Sequence, residues 1–64
     1  MPPKKTLSQR EKELQALLAT AAGRRELEEL ESRYQAAGGR LRPPSTSVIT
    51  YILVCERERG LIIN

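Results

Sequence analysis

Arg40 and Arg42 are the residues whose type and spacing best fit a chemistry. They bracket Leu41 and run into Pro43-Pro44, inside a stretch (residues 32–44) that holds Arg33, Arg40 and Arg42 and no acid. A guanidinium grips phosphate oxygens through a planar fork of N–H donors. Two prolines stiffen the loop that carries them. Anion binding is therefore the chemistry on offer. The same side chains read as well as solvated loop arginines.

Covalent chemistry has few carriers. The chain has no His and no Asp, so the usual general acid or base is missing, as are most metal ligands. All eight carboxylates are Glu, and each has an ordinary place on a solvated helix face. Gly38-Gly39 lacks the spacing and the preceding strand of a phosphate loop. Cys55, the single cysteine, reads as a small buried hydrophobe rather than a reactive thiol. Two tyrosines, Tyr34 and Tyr51, without Phe or Trp make a poor base-stacking platform. These residues imply a non-enzymatic binding protein with no metal, no cofactor and no small-molecule substrate.

At 64 residues, 39% of them hydrophobic, the chain is sized for one domain near the lower limit of independent folding. A Leu/Ile/Val/Ala core of this size supplies about 3–5 kcal/mol, so a second copy is the expected extra support. A lone cysteine forms no internal disulfide, which points to a cytoplasmic protein. The longest apolar run, Val48 to Cys55, is interrupted by Thr50 and far short of the roughly 20 residues of a membrane span. Net charge is +3, unevenly spread: residues 1–12 carry +3, residues 13–31 carry −3, residues 32–44 carry +3, and the remainder balances. Such polarity suits a surface that meets nucleic acid on one side, and suits an ordinary soluble protein nearly as well.

The elements that must position these groups read as helices. Residues 1–7, with two prolines and two lysines, suggest a flexible basic tail, leaving 8–64 as a single helical domain. Ser8-Gln9-Arg10-Glu11 has the form of a capping box, and Leu14, Leu17, Leu18, Ala21 and Ala22 follow at helical spacing. A first helix is expected from about Gln9 to Ala19. Thr20 caps a second helix, or the first runs on to Gly23. Arg24 to Ala37 is helical in either case, with Leu27, Leu30, Tyr34 and Ala37 on one stripe. Arg24/Glu28, Arg25/Glu29 and Glu29/Arg33 are spaced to pair along it, and Gly38 suits a left-handed cap. Leu41 gives the following loop an apolar anchor.

Residues 46–59 are the contested segment. Ser45-Thr46-Ser47 is a helix start and Gly60 a helix stop, while Val48 to Val54 has strong β propensity. The expectation is an all-α domain of three helices with room for a short C-terminal strand. Its rival is an α+β fold in which 48–54 and 61–63 form a β-hairpin. As a helix, this segment buries Ile49, Ile52 and Leu53 and is apolar nearly all round. Val48, Tyr51 and Val54 are then the expected homodimer interface.

Two stretches resemble helix-turn-helix domains. Thr46 to Ile62 resembles the recognition helix of bacterial winged-helix regulators, with a Ser/Thr-rich start, apolar offsets at Ile49, Ile52 and Leu53, a charged last turn, and Gly60-Leu61-Ile62. Leu7 to Leu14 resembles the opening helix of response-regulator-type helix-turn-helix domains. The resemblance implies a small dimer that binds double-stranded DNA in transcription regulation. Arg40 and Arg42 would then lie on phosphates, and Ser47, Thr50, Tyr51 and Arg57 would face the groove. The alternative is a protein-interaction or assembly module that self-associates through residues 48–55 without nucleic acid.

Overall fold

Thr6, not Ser8, caps the first helix. The computed structural model describes residues 4–38 and 40–63. In it the Thr6 hydroxyl accepts from the Gln9 amide at 3.2 Å, and the Gln9 side chain accepts from the Thr6 amide at 3.0 Å. Thr6-Leu7-Ser8-Gln9 satisfies the capping-box pattern as well as Ser8-Gln9-Arg10-Glu11 does. The Thr6 register starts α1 (Leu7–Leu17) at Leu7, which packs against the core, and leaves Ser8 exposed. It also leaves Lys5 and Thr6 extended, and they form β1 (Lys5–Thr6). The ordered structure thus reaches further toward the N-terminus than the expected tail of residues 1–7 allows; residues 1–3 of that tail lie outside the described residues.

A tight turn follows, with Leu18 and Ala19 amides donating to Gln15 and Ala16 carbonyls. Thr20 then caps α2 (Ala21–Ala36), its hydroxyl accepting from the Gly23 amide at 2.9 Å. Of the two openings the sequence allows here, the chain takes the break. Gly23 is buried where α2 begins against the end of α1, and a Cβ there would stand 2.1 Å from the Leu17 carbonyl oxygen. Only glycine fits that approach. Leu27 and Tyr34 are buried on the inner stripe and Leu30 is half-buried, while Ala37, the C-cap, is exposed. Among the described residues, none of the three expected pairs along α2 forms an ion pair; the Arg24 guanidinium instead donates to the Leu18 carbonyl. Gly38 has φ +95°, the left-handed cap the sequence implies.

The contested segment is helical: α3 spans Val48–Glu58. Ser47 caps it by accepting from the Thr50 amide at 3.2 Å. At the other end the Gly60 amide donates to the Arg57 carbonyl and the Leu61 amide to the Glu56 carbonyl, a Schellman stop with Gly60 at φ +73°. β2 (Ile62–Ile63) pairs with β1 and not with α3's segment, so the hairpin alternative does not occur. The pairing is parallel, Lys5 opposite Ile62 and Thr6 opposite Ile63, and it ties the start of α1 to the exit of α3. Three helices and this short strand pair enclose one core, with Leu14, Leu27 and Ile52 at its centre.

Candidate nucleic-acid interface

Each helix carries one polar residue on its buried stripe. Arg10 follows Leu7 and precedes Leu14 on α1; Tyr34 follows Leu27 and Leu30 on α2; Glu56 follows Ile49 and Ile52 on α3. They meet. Glu56 is 4% exposed. Arg10 grips it through Nε to Oε1 and Nη2 to Oε2, both at 2.8 Å, and the Tyr34 hydroxyl donates to Oε2 at 2.7 Å. This carboxylate therefore has no solvated helix face, contrary to the sequence-based expectation for all eight. Arg10 also reaches Glu13, which Lys5 contacts from β1. The hydrogen bond to Glu56 raises the Arg10 pKa against the opposing cost of burial. Burial, then the bond to Glu56, pushes the Tyr34 phenol up to about 12. The Lys5 ammonium, with Arg10, holds Glu13 below the usual carboxylate range. The cluster fixes the last turn of α3 against α1 and α2, which sets the direction in which α3's outer side points.

The expected site residues divide on this frame. Ser47, Thr50 and Arg57 are exposed and share one side of α3, three and seven residues apart. The Ser47 and Thr50 hydroxyls are hydrogen-bonded to each other at 2.9 Å. Arg40 is exposed, with Nη2 on both Glu58 oxygens at 2.8 and 2.9 Å. Arg42 is different. Its Nε donates to Glu31 at 2.9 Å and its Nη1 to the Thr46 carbonyl at 2.7 Å, so it braces the loop against α2. Leu41, expected to anchor that loop, is 79% exposed. The anchor is polar.

Tyr51 departs furthest from expectation. It is 6% exposed, and its hydroxyl donates to the Arg40 backbone carbonyl. Neither a groove-facing role nor a dimer-interface role is open to a side chain so covered. Burial is also the first cause that raises its pKa. Val48 is half-buried against the core, which leaves Val54, 44% exposed, as the expected dimer residue with a free surface. The reason is the loop from Arg40 onward, whose Arg40 carbonyl takes the Tyr51 hydroxyl on the flank of α3 that the sequence left without a partner. Beneath it a cleft of about 420 Å³ lies between Tyr34, Tyr51 and the half-buried Cys55, with Arg40 and Arg59 at its edge. Arg59 lies over the Tyr34 ring, 5.0 Å from its centroid.

Comparison of the chain with family models, curated proteins and solved structures gives no match. Among the described residues no cluster of three potential metal ligands occurs, and no helix is long and apolar enough to cross a membrane. Sequence reasoning missed the Arg10–Tyr34–Glu56 cluster, although part of its signal was present: a charge standing on the otherwise apolar stripes of α1 and α3. It also missed the placement of Lys4, whose ammonium lies 3.7 Å from where a Cβ on Gly60 would stand.

Proposed function

We propose that the chain is a non-enzymatic DNA-binding domain of helix-turn-helix type that presents the outer side of α3 to a duplex. The observation that carries this reading is the composition of that side. Ser47, Thr50 and Arg57 are solvent-facing and aligned, with the exposed Val54 between Thr50 and Arg57 on the same side, while the buried side of the helix is held by the core and by Glu56. Short hydroxyls suit base edges and an arginine suits either phosphate or guanine. Arg40 can join them, because a surface pair such as Arg40–Glu58 is worth about 0–1 kcal/mol and exchanges readily for a phosphate. Arg42 is given a structural role instead.

The test is anisotropy of a labelled duplex across a salt series. Arg57→Ala should flatten the log affinity against log salt slope by about 0.9, and Thr50→Ala should change sequence preference without changing that slope. Absence of wild-type binding at micromolar protein and low salt defeats the proposal.

A second reading rests on a specific observation. Leu41, at 79% exposed, and Val54 both line a shallow cleft with Pro43 on α3's outer side. This is apolar surface suited to self-association, and it supports an assembly module in which no nucleic acid takes part. Sedimentation across a concentration series separates the two: a dimer indifferent to DNA favours assembly.

A further inference from the structure

The 420 Å³ cleft beside Arg40 is built on one stripe of α3. Tyr51, Val54, Cys55, Glu58 and Arg59 recur three and four residues apart, the spacing that gathers side chains on one helix face, and Tyr34 and Ala37 from the end of α2 supply another wall. Its depth is apolar. The Tyr34 hydroxyl is committed to Glu56 and the Tyr51 hydroxyl to the Arg40 carbonyl, which leaves ring surface facing the cleft beside Val54 and Cys55. Its rim is charged: Arg40 and Arg59 against Glu58, two positives and one negative, a net charge of +1. Arg40 spends one nitrogen, Nη2, on both Glu58 oxygens, so its Nε and Nη1 make no hydrogen bond among the described residues. The Arg59 guanidinium lies over the Tyr34 ring and makes no ion pair among the described residues. By contrast Arg25 and Arg33, also exposed, share a shallow face with Glu28 and Glu29, where the charges cancel.

We propose that this cleft binds a small apolar monocarboxylate, its ring or chain against Tyr51, Val54 and Cys55 and its carboxylate on the rim guanidiniums. The inference stands apart from the DNA-binding reading and uses a different side of α3. A cleft of this volume lies within the range that holds small organic ligands, which bury an apolar body and are oriented by a few polar groups. Arg40 already holds a carboxylate here, that of Glu58, in an exposed pair worth about 0–1 kcal/mol. An incoming carboxylate takes the unspent donors of Arg40 and Arg59 or replaces Glu58 outright, and charged hydrogen bonds of this kind are the strong ones. Charge decides the class. One ligand carboxylate cancels the rim's net +1, whereas a doubly charged phosphate ester would meet the Glu58 carboxylate with charge in excess.

The experiment is titration of the protein with naphthoate, followed by amide chemical shifts, beside naphthamide (the same ring without the charge) and naphthyl phosphate. At the efficiency usual for small ligands, a probe of roughly a dozen heavy atoms binds at about 1 mM. Saturable shifts should centre on Val54, Cys55 and Arg59, and naphthoate should slow alkylation of Cys55, the single thiol, by neutral iodoacetamide. Arg40→Gln and Arg59→Gln should each weaken naphthoate at least about 3-fold, and Arg25→Gln should not. Both rim arginines are exposed, and unchanged thermal melts of the variants confirm that the fold is kept. Equal binding of naphthamide, or indifference to both arginine variants, overturns the carboxylate assignment. Tighter binding of naphthyl phosphate overturns the monoanion assignment. The site itself falls if no shift saturates by about 10 mM naphthoate, or if the shifts centre on Leu41 and Thr46 instead.

Discussion

Removing Arg10 tests whether the buried cluster organises the fold. Arg10→Ala leaves the Glu56 carboxylate, 4% exposed in the native fold, with only the Tyr34 hydroxyl as a partner. Breaking one side of a buried ion pair costs about 3–5 kcal/mol. The lower end applies here, because the Arg10 side chain is 23% exposed and water can enter the vacated space. About 3 kcal/mol corresponds to a fall in Tm of roughly 12–24 °C in a domain of this size. It also approaches the whole stability expected of so small a core, about 3–5 kcal/mol, so the variant should be substantially unfolded at 25 °C. Urea titration followed by circular dichroism reads the difference directly. The double variant Arg10→Met/Glu56→Leu supplies the control: an apolar pair of similar volume should recover most of the loss, since such replacements are often neutral or stabilising. A cost below about 1 kcal/mol for Arg10→Ala would place the pair among ordinary surface bridges and refute the argument.

Three further outcomes follow from particular contacts. Gly23→Ala should destabilise by about 1–3 kcal/mol in thermal melts, because its Cβ would meet the Leu17 carbonyl oxygen at 2.1 Å and the two helices must separate. Val54→Glu should abolish any self-association seen by sedimentation while leaving the monomer's stability within about 0.5 kcal/mol of wild type, since Val54 is 44% exposed. Tyr34 holds its proton up to about pH 12 in the folded state against about 10 when unfolded, so its contribution to stability is complete below pH 10 and is lost as pH rises toward 12. In Tyr51→Phe, where Tyr34 is the remaining tyrosine, absorbance at about 295 nm should show one phenol ionising well above pH 10; ionisation near 10 would mean that the ring is neither buried nor bonded to Glu56 in solution.

The helices were legible because their signals are local. Apolar spacing, Thr20, Ser47, Gly38 and Gly60 act within a turn of where they stand, and α3 formed against its own β propensity because a cap and a Schellman stop bracket it. Where two local signals of equal quality overlapped, as in Thr6-Leu7-Ser8-Gln9 and Ser8-Gln9-Arg10-Glu11, the choice passed to tertiary structure: the register that puts Leu7 on the core and Thr6 in a strand prevailed. That strand pair was not legible, since two residues at each end of the chain carry no periodicity and their pairing depends on how α3 exits.

The site was less legible than the fold because charge in a sequence has no partner. Residues 32–44 read as free positive charge, yet Arg42 is tied to Glu31 and Arg40 to Glu58, acids that lie 11 and 18 positions away. Tyr51 read as surplus apolar surface because a loop with two prolines and an exposed Leu41 gives no sign that its backbone will cover a helix. What the sequence does show is misplacement: Arg10 and Glu56 stand on stripes that otherwise hold leucine and isoleucine. Opposite charges on the buried stripes of two helices imply that the helices meet there, since each alone would be an uncompensated buried ion. That pairing joins α1 to the last turn of α3. Beside it stands Arg57, exposed and without an ion pair among the described residues, which is the cation of α3 that the DNA-binding proposal puts against the duplex.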